Sequence, residues 1–380
     1  MRGVSARVLV VTNDFPPRTG GIQSFVHGIV ERLPADSVVV LTSNWRGSDQ
    51  WDATQPYPII RTRSSVMLPG LRARRLARRL VREYHCDTVV FGAAVPLGLM
   101  APTLRTAGVT RCVGITHGHE AGWTRWPILR QIVAVVGRRL DAMTYLGEYT
   151  RSHIAPVIGA KATAMVRLAP GINTKEFAPS AHGLQRRSQW DLEDRPVVVC
   201  VSRVMPRKGQ DMLVRAWPQV QQFVPNAALL LVGGGPHRKK VRKLIDQLGL
   251  SGDVVMTGTV ERDQLPSYYS AGDVFAMPCR TRNAGLDVEG LGIVYLEASA
   301  CGLPVIAGRS GGAPDAIREG VTGVSVDGRS PTDIASAIVR LLQDPQLSAQ
   351  MGQAGRAWVE SQWTWQSQIA VVDQLIAASH

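Results

Sequence analysis

Glu289 and Glu297 stand with Gly290-Leu291-Gly292-Ile293-Val294-Tyr295-Leu296 between them, and an apolar, helix-like run opens right after the glycines. Glycine lets backbone N–H groups approach an anion closely, and a helix N-terminus presents unpaired donors at its positive dipole end. A carboxylate beside such a turn suits sugar hydroxyls, whereas it would repel a phosphate. The pattern predicts a sugar-nucleotide site, with phosphate on the turn and hydroxyls on the acids; the bland alternative is an ordinary loop and helix. Upstream, Arg203 and Lys208 flank a Pro-containing turn in Ser202-Arg203-Val204-Met205-Pro206-Arg207-Lys208-Gly209, just after the strand-like run Val197–Val201. A planar guanidinium fork and a compact ammonium folded onto one point are the usual provision for a diphosphate. Near the start, Arg7–Asn13 reads as a strand leading into Asp14-Phe15-Pro16-Pro17-Arg18-Thr19-Gly20-Gly21-Ile22-Gln23-Ser24 and an amphipathic pattern. That is a third junction hospitable to an anion. Neither Gly20-Gly21 nor Gly233-Gly234-Gly235 has the spacing of a dinucleotide fingerprint, and there is no P-loop.

The elements that must hold these residues alternate along the chain. Strand-like runs are expected at Arg7–Asn13, Val38–Thr42, Thr88–Phe91, Arg111–Thr116 and Met143–Tyr145, with helical patterns between several of them. After Ala169-Pro170-Gly171-Ile172-Asn173 comes a polar stretch, Ser180 to Arg195. A second alternation follows at Val197–Val201, Ala228–Val232, Val254–Met256, Val274–Met277, Val305–Ala307 and Gly323–Val326. Such alternation argues for parallel sheets covered by helices. Two runs of it predict twin Rossmann-like domains, 1–170 and 171–363, a division that 380 residues can furnish with a core each. Ligand sites then belong at the carboxyl ends of the strands.

The chain carries a net charge of +13, and one segment concentrates it. Ala53 to Arg82 holds eight arginines and no acid. On a helix from Leu71 to Arg82, Ala73, Leu76, Ala77 and Leu80 share one face, and Arg72, Arg74, Arg75, Arg78, Arg79 and Arg82 the other. A packed helix with a solvated basic face explains the apolar side. It does not explain six arginines without a glutamate, since acid–base pairs four apart would keep such a face soluble. An anionic membrane surface is the preferred partner, each basic residue near one contributing ~1 kcal/mol. Nucleic acid is not expected, because no binding motif accompanies the charge.

No apolar run reaches the ~20 residues that span a bilayer, and Met1 to Val11 is too short for a secretory signal. A cytoplasmic address is expected, with peripheral attachment to the inner face of the plasma membrane. Five scattered cysteines, Cys86, Cys112, Cys200, Cys279 and Cys301, form no Cys-x-x-Cys and are expected to be reduced and without catalytic or metal role. His117 and His119, in His-Gly-His-Glu, follow the Arg111–Thr116 strand. Their spacing, with Glu120, matches no usual zinc site.

The Gly-Gly loop, the Arg…Lys pair and Glu-x7-Glu, in that order over nearly the whole length, resemble the retaining GT-B glycosyltransferases of family 4. Asn13-Asp14-Phe15-Pro16-Pro17-Arg18, Thr116-His117-Gly118-His119-Glu120 and Gly285 to Glu297 look like the actinobacterial phosphatidylinositol mannoside mannosyltransferases, most of all the branch adding the second mannose. The resemblance implies a GT-B fold of two Rossmann-like domains facing a cleft, with a C-terminal helix, 364–380, crossing back to the first. It implies transfer of mannose from GDP-mannose to a phosphatidylinositol monomannoside, with retention. Arg203, Lys208 and Gly20-Gly21 would hold the diphosphate, Glu297 the ribose and Glu289 the mannose. Gly290, Leu291, Gly292 and Ile293 would support sugar and phosphate, and Val260 would lie near the base. His117 would face the donor sugar, while Asp14, Gly21, Gln23, Arg61, Arg63 and His119 would meet the acceptor. No metal or other cofactor is expected, because cations take its place. A family member using another sugar or acceptor, and a sugar-nucleotide epimerase of the same build, are the alternatives. A basic binding protein without chemistry would leave both motifs idle.

Overall fold

The computed structural model describes residues 7–377. By its internal contacts the chain divides into two units, one running to Gly171 and resuming at Gln366, the other Ile172–Trp365. Residues 1–6, part of the Met1 to Val11 stretch weighed against a secretory signal, and 378–380, the end of the expected C-terminal helix, lie outside the described residues.

The first unit is built on a sheet of β1 (Val8–Thr12), β2 (Val38–Thr42), β3 (Ile59–Arg61), β4 (Thr88–Phe91), β5 (Arg111–Gly114), β6 (Ala142–Tyr145) and β7 (Met165–Arg167). The strands are all parallel, in the order β3-β2-β1-β4-β5-β6-β7. β1, β2 and β4 are buried throughout, which is why they read as unbroken apolar runs rather than alternating ones. One buried cluster joins Leu9, Val11 and Phe91 to Ala73, Ala77 and Leu80 of the helix Leu71–Glu83 and to Val133 and Val136 of the helix Pro127–Arg139. The helix Trp365–Ile376 is tied to this unit: Gln368 accepts from the Ala169 N–H at 3.1 Å, and Arg111 donates to the Leu375 carbonyl.

The second unit holds β8 (Val197–Val201), β9 (Ala228–Val232), β10 (Val254–Gly258), β11 (Val274–Met277), β12 (Val305–Gly308) and β13 (Gly323–Val326). They too are parallel, in the order β10-β9-β8-β11-β12-β13. The polar stretch 180–195 is not loose. It forms a helix, His182–Ser188, docked by charge: Arg187 meets Asp273 at 2.7 Å and Arg195 meets Asp253 at 2.5 Å.

Candidate active site

Each sheet reverses its strand order once, and the crevice at such a switch point, outside the carboxyl ends of the strands, is where open α/β sheets bind ligands. In the second unit the reversal lies between β8 and β11. β8 runs into a short turn, Pro206–Lys208, which ends on Gly209 in the left-handed region before the helix Gln210–Phe223. A Cβ on Gly209 would sit 2.1 Å from the Pro278 carbonyl oxygen, so glycine is what lets this turn close against the end of β11.

From β11 the chain returns to the same place with its acids. Glu289 is buried, and one of its oxygens takes Lys208 Nζ at 2.7 Å and also Arg207 Nη1. Arg207 Nε pairs with Asp287 at 3.0 Å, and Asp287 faces Arg282 at 3.8 Å. Burial alone would raise the Glu289 carboxyl, but Lys208 and Arg207 outweigh it and hold it below the ordinary carboxylate range. At neutral pH it is an acceptor only. Its backbone carbonyl takes the Gly312 N–H at 2.8 Å, so the loop leaving β12 braces it from behind.

Gly292, at φ 80°, opens the helix Ile293–Ala300. A Cβ there would press within 2.4 Å of the Tyr295 ring, which is itself fixed by its hydroxyl donating to the Met277 carbonyl at 2.7 Å. No side chain caps the helix; the Tyr295 N–H turns back onto the Gly292 carbonyl at 3.0 Å, and the N–H groups of Ile293 and Val294 ahead of it have no intrahelical acceptor. Glu297, inside this helix and buried, accepts from the Tyr269 hydroxyl at 2.7 Å. Burial raises its carboxyl, with the Tyr269 bond opposing. Arg203 lies on the loop after β8, exposed and without an ion pair among the described residues. Val260 follows β10 at the same edge and is half-buried.

In the first unit the reversal lies between β1 and β4. After β1, Gln23 donates to Asp14 at 2.6 Å, Arg18 stands 3.8 Å from the same carboxylate, and the helix Gly21–Val30 starts at exposed Gly20 with no side-chain cap. Beyond β5, His117 Nε2 donates to the Gly92 carbonyl, at the end of β4, at 2.5 Å. Burial holds the imidazole below its ordinary value, the opposing pull of Glu120 being smaller. His117 is therefore neutral at pH 7, and Nδ1 is the ring nitrogen outside that bond. Glu120 accepts the His117 backbone N–H at 3.0 Å, and the His119 ring stacks on that of His117 with centroids 6.3 Å apart. Asp14, Gly20, Gly21 and Gln23 thus follow β1 and His117 follows β5, with Gly92 at the end of the intervening β4 joining them.

Two expectations need correcting. Arg61 is not a free cation for an acceptor. It forms a bidentate pair with Asp52 at 2.7 Å and donates to the carbonyls of Ser43 and Pro16, bracing the loop after β1, whereas Arg63 is exposed. Nor are the six arginines of Leu71–Glu83 equivalent. Arg74 is turned inward onto the Pro69 carbonyl at 2.8 Å and Thr103 at 3.3 Å, and Glu83, one residue past the counted stretch, stands 3.6 Å from Arg79. Arg72, Arg75, Arg79 and Arg82 are exposed and Arg78 is half-buried. Sequence reasoning missed Arg207 and Asp287, although the first adjoins Lys208 and the second precedes Glu289 by two. It also missed Tyr269, which no local signal marks. All five cysteines are buried and free, and burial pushes the Cys112 thiol up to about 11 and Cys86, Cys200 and Cys279 to about 12.

Comparison with known proteins fits this geometry. Residues 19–176 match the model of Glycosyltransferase Family 4, and residues 184–358 that of Glycosyl transferases group 1. A GDP-mannose-dependent alpha-(1-6)-phosphatidylinositol monomannoside mannosyltransferase of Mycolicibacterium smegmatis is 46% identical over 97% of this chain and 98% of its own. The chain belongs to glycosyltransferase family 4. The enzyme of the same name from Mycobacterium tuberculosis is 48% identical over 95% of both chains. Another family member, from Corynebacterium glutamicum and named for a monoacylated monomannoside acceptor, is 42% identical over 95% of both. Among solved structures, Anabaena Alr3699/HepE in complex with UDP superposes with a TM-score of 0.84 at 18% identity, covering 98% of this chain and 99% of its own. Sucrose-phosphate synthase from Thermosynechococcus elongatus gives 0.78 at 22%, covering 97% and 98%. At such identities these two speak for the GT-B fold alone.

Proposed function

We propose that this family 4 glycosyltransferase moves mannose from GDP-mannose to a phosphatidylinositol monomannoside, with retention at the anomeric carbon. The observation that carries the reading is the near-full-length likeness, at 46–48% identity, to two enzymes named for that donor and acceptor. The residues described above are assigned these parts. Lys208 and Arg203 take the diphosphate, aided by the N–H groups at Gly290–Ile293. Glu297 binds ribose hydroxyls and Glu289, held as a carboxylate, the mannose hydroxyls. His117, neutral, offers Nδ1 to a sugar hydroxyl.

The acceptor hydroxyl attacks the anomeric carbon on the face the diphosphate leaves, and the departing phosphate oxygen takes its proton. The protein contributes position and stabilisation of the leaving charge. No metal is assigned a part in this scheme, because two cations meet the diphosphate. The acceptor side is assigned to Asp14, Gly21, Gln23 and His119. Because that acceptor is a lipid, the exposed arginines Arg72, Arg75, Arg79 and Arg82 are assigned to an anionic membrane surface, at which the enzyme works peripherally from the cytoplasmic side. No helix among the described residues is long and apolar enough to cross a membrane.

The test is incubation of the pure protein with GDP-mannose, with and without vesicles containing phosphatidylinositol monomannoside. A dimannoside formed only with the vesicles is the expected product. Isomerised donor without acceptor would mean an epimerase instead.

A further inference from the structure

Two cations crowd one oxygen of Glu289 where one would neutralise it. Lys208 has that carboxylate as its single ion-pair partner among the described residues, at 2.7 Å, on a flexible four-carbon stem. Arg207 is held at both ends of its fork, by Glu289 through Nη1 and by Asp287 through Nε at 3.0 Å. We infer that Arg207 is a positioning residue that keeps Glu289 paired when Lys208 leaves it for the donor's diphosphate. The inference rests on the reading above.

The asymmetry of the two cations is the reason. An incoming diphosphate can draw the Lys208 ammonium away by rotation of its stem, breaking one ion pair. It cannot draw Arg207 without breaking two. Were Lys208 the sole partner, its departure would strand a buried carboxylate. Such a group neutralises itself by taking a proton. Glu289 as a carboxylic acid would spend one oxygen on its own proton and could no longer accept from two sugar hydroxyls. Arg207 removes the need for that proton, so donor binding and the orientation of the sugar-binding carboxylate are compatible at neutral pH. Asp287 acts through Arg207, fixing the plane of its guanidinium.

Arg207→Gln tests this through a proton. GDP-mannose is used because its diphosphate has no ionisation near neutrality. Calorimetric titration at pH 7 in two buffers of different ionisation enthalpy is expected to show no proton uptake by the wild type. The variant should take up close to one proton per donor bound, with the acid limb of kcat for mannosyl transfer, which reports the donor complex, moved up by about one pH unit or more. Arg207→Lys should restore both. An Arg207→Gln protein that loses about tenfold or more in donor affinity at every pH, with no proton uptake, would make Arg207 a direct diphosphate contact and overturn the inference. If Arg207→Gln does not fold, Arg207→Lys decides: it must bind GDP-mannose without proton uptake and keep transfer within about tenfold of wild type, and a larger loss overturns the inference. A wild type that binds GDP-mannose but makes no dimannoside would remove the proposed function and leave the proton measurement interpretable. Transfer intact with equal proton uptake in wild type and variant would remove only the role of Arg207.

Discussion

Lys208→Ala is the substitution whose consequence can be worked furthest. Lys208 Nζ lies 2.7 Å from Glu289, with side chains 13% and 9% exposed, so this is a buried pair rather than a surface one. Breaking such a pair usually costs ~3–5 kcal/mol, because it orphans a charge. Here Arg207 remains on the same oxygen, so the stability loss should fall below that range and the fold should persist. Catalysis has no such reserve. Removing one charge-assisted contact to a leaving diphosphate costs ~2–4 kcal/mol of transition-state stabilisation. At 1.36 kcal/mol per decade that is a loss of roughly 30- to 1,000-fold in kcat/KM. The assay pairs mannosyl transfer to monomannoside vesicles with thermal unfolding followed by circular dichroism. A variant that melts cooperatively and retains less than about one thirtieth of wild-type kcat/KM is the expected outcome. One that keeps more than about a third would refute the diphosphate clamp.

The two glutamates should separate. Glu289→Ala is expected to impair transfer while leaving GDP affinity nearly unchanged, whereas Glu297→Ala should weaken GDP itself, and calorimetry showing equal effects would remove the division of labour. Replacing the exposed Arg72, Arg75, Arg79 and Arg82 together by Gln should release the protein from phosphatidylinositol-containing vesicles without changing GDP affinity. The wild-type attachment should fade toward ~0.5 M salt, and co-sedimentation indifferent to both changes would return the helix to a solvated basic face. Buried His117 has its pKa lowered by burial, as does His27. The unfolded chain therefore binds more protons than the folded one below the ordinary histidine value, and stability should be full above it and fall as pH drops from about 6.5 toward the lowered folded values. Melting temperatures that do not decline over that interval, or that decline equally in His117→Gln, would contradict this assignment.

The sequence made the fold largely legible because the sheets are parallel and buried on both faces. Val38–Thr42, Val197–Val201 and Ala228–Val232 are continuous apolar runs in sequence and strands in space. β3 and β7 escaped notice because they are three-residue edge strands, only partly buried, with no such run to betray them. The polar stretch 180–195 gave no sign of its helix because its docking relies on arginine–aspartate pairs, Arg187 with Asp273 and Arg195 with Asp253, that span more than fifty residues. The same limit hid the division of labour among the cations. Spacing marks Arg203, Lys208, Glu289 and Glu297 as suited to a sugar nucleotide, but only the approach of the β8 and β11 loops shows that Arg207 belongs to Glu289. Arg61 reads as an available charge until Asp52 is found beside it.

The central claim is tested most directly by competition among donors. The purified protein would be given phosphatidylinositol monomannoside vesicles and an equimolar mixture of GDP-mannose, UDP-glucose and UDP-N-acetylglucosamine, each with a distinguishable label in the sugar. The lipid product is expected to carry the mannose label alone, in the same anomeric configuration as the donor. Label from either UDP-sugar in the lipid, or a mannose joined with inversion, would contradict it.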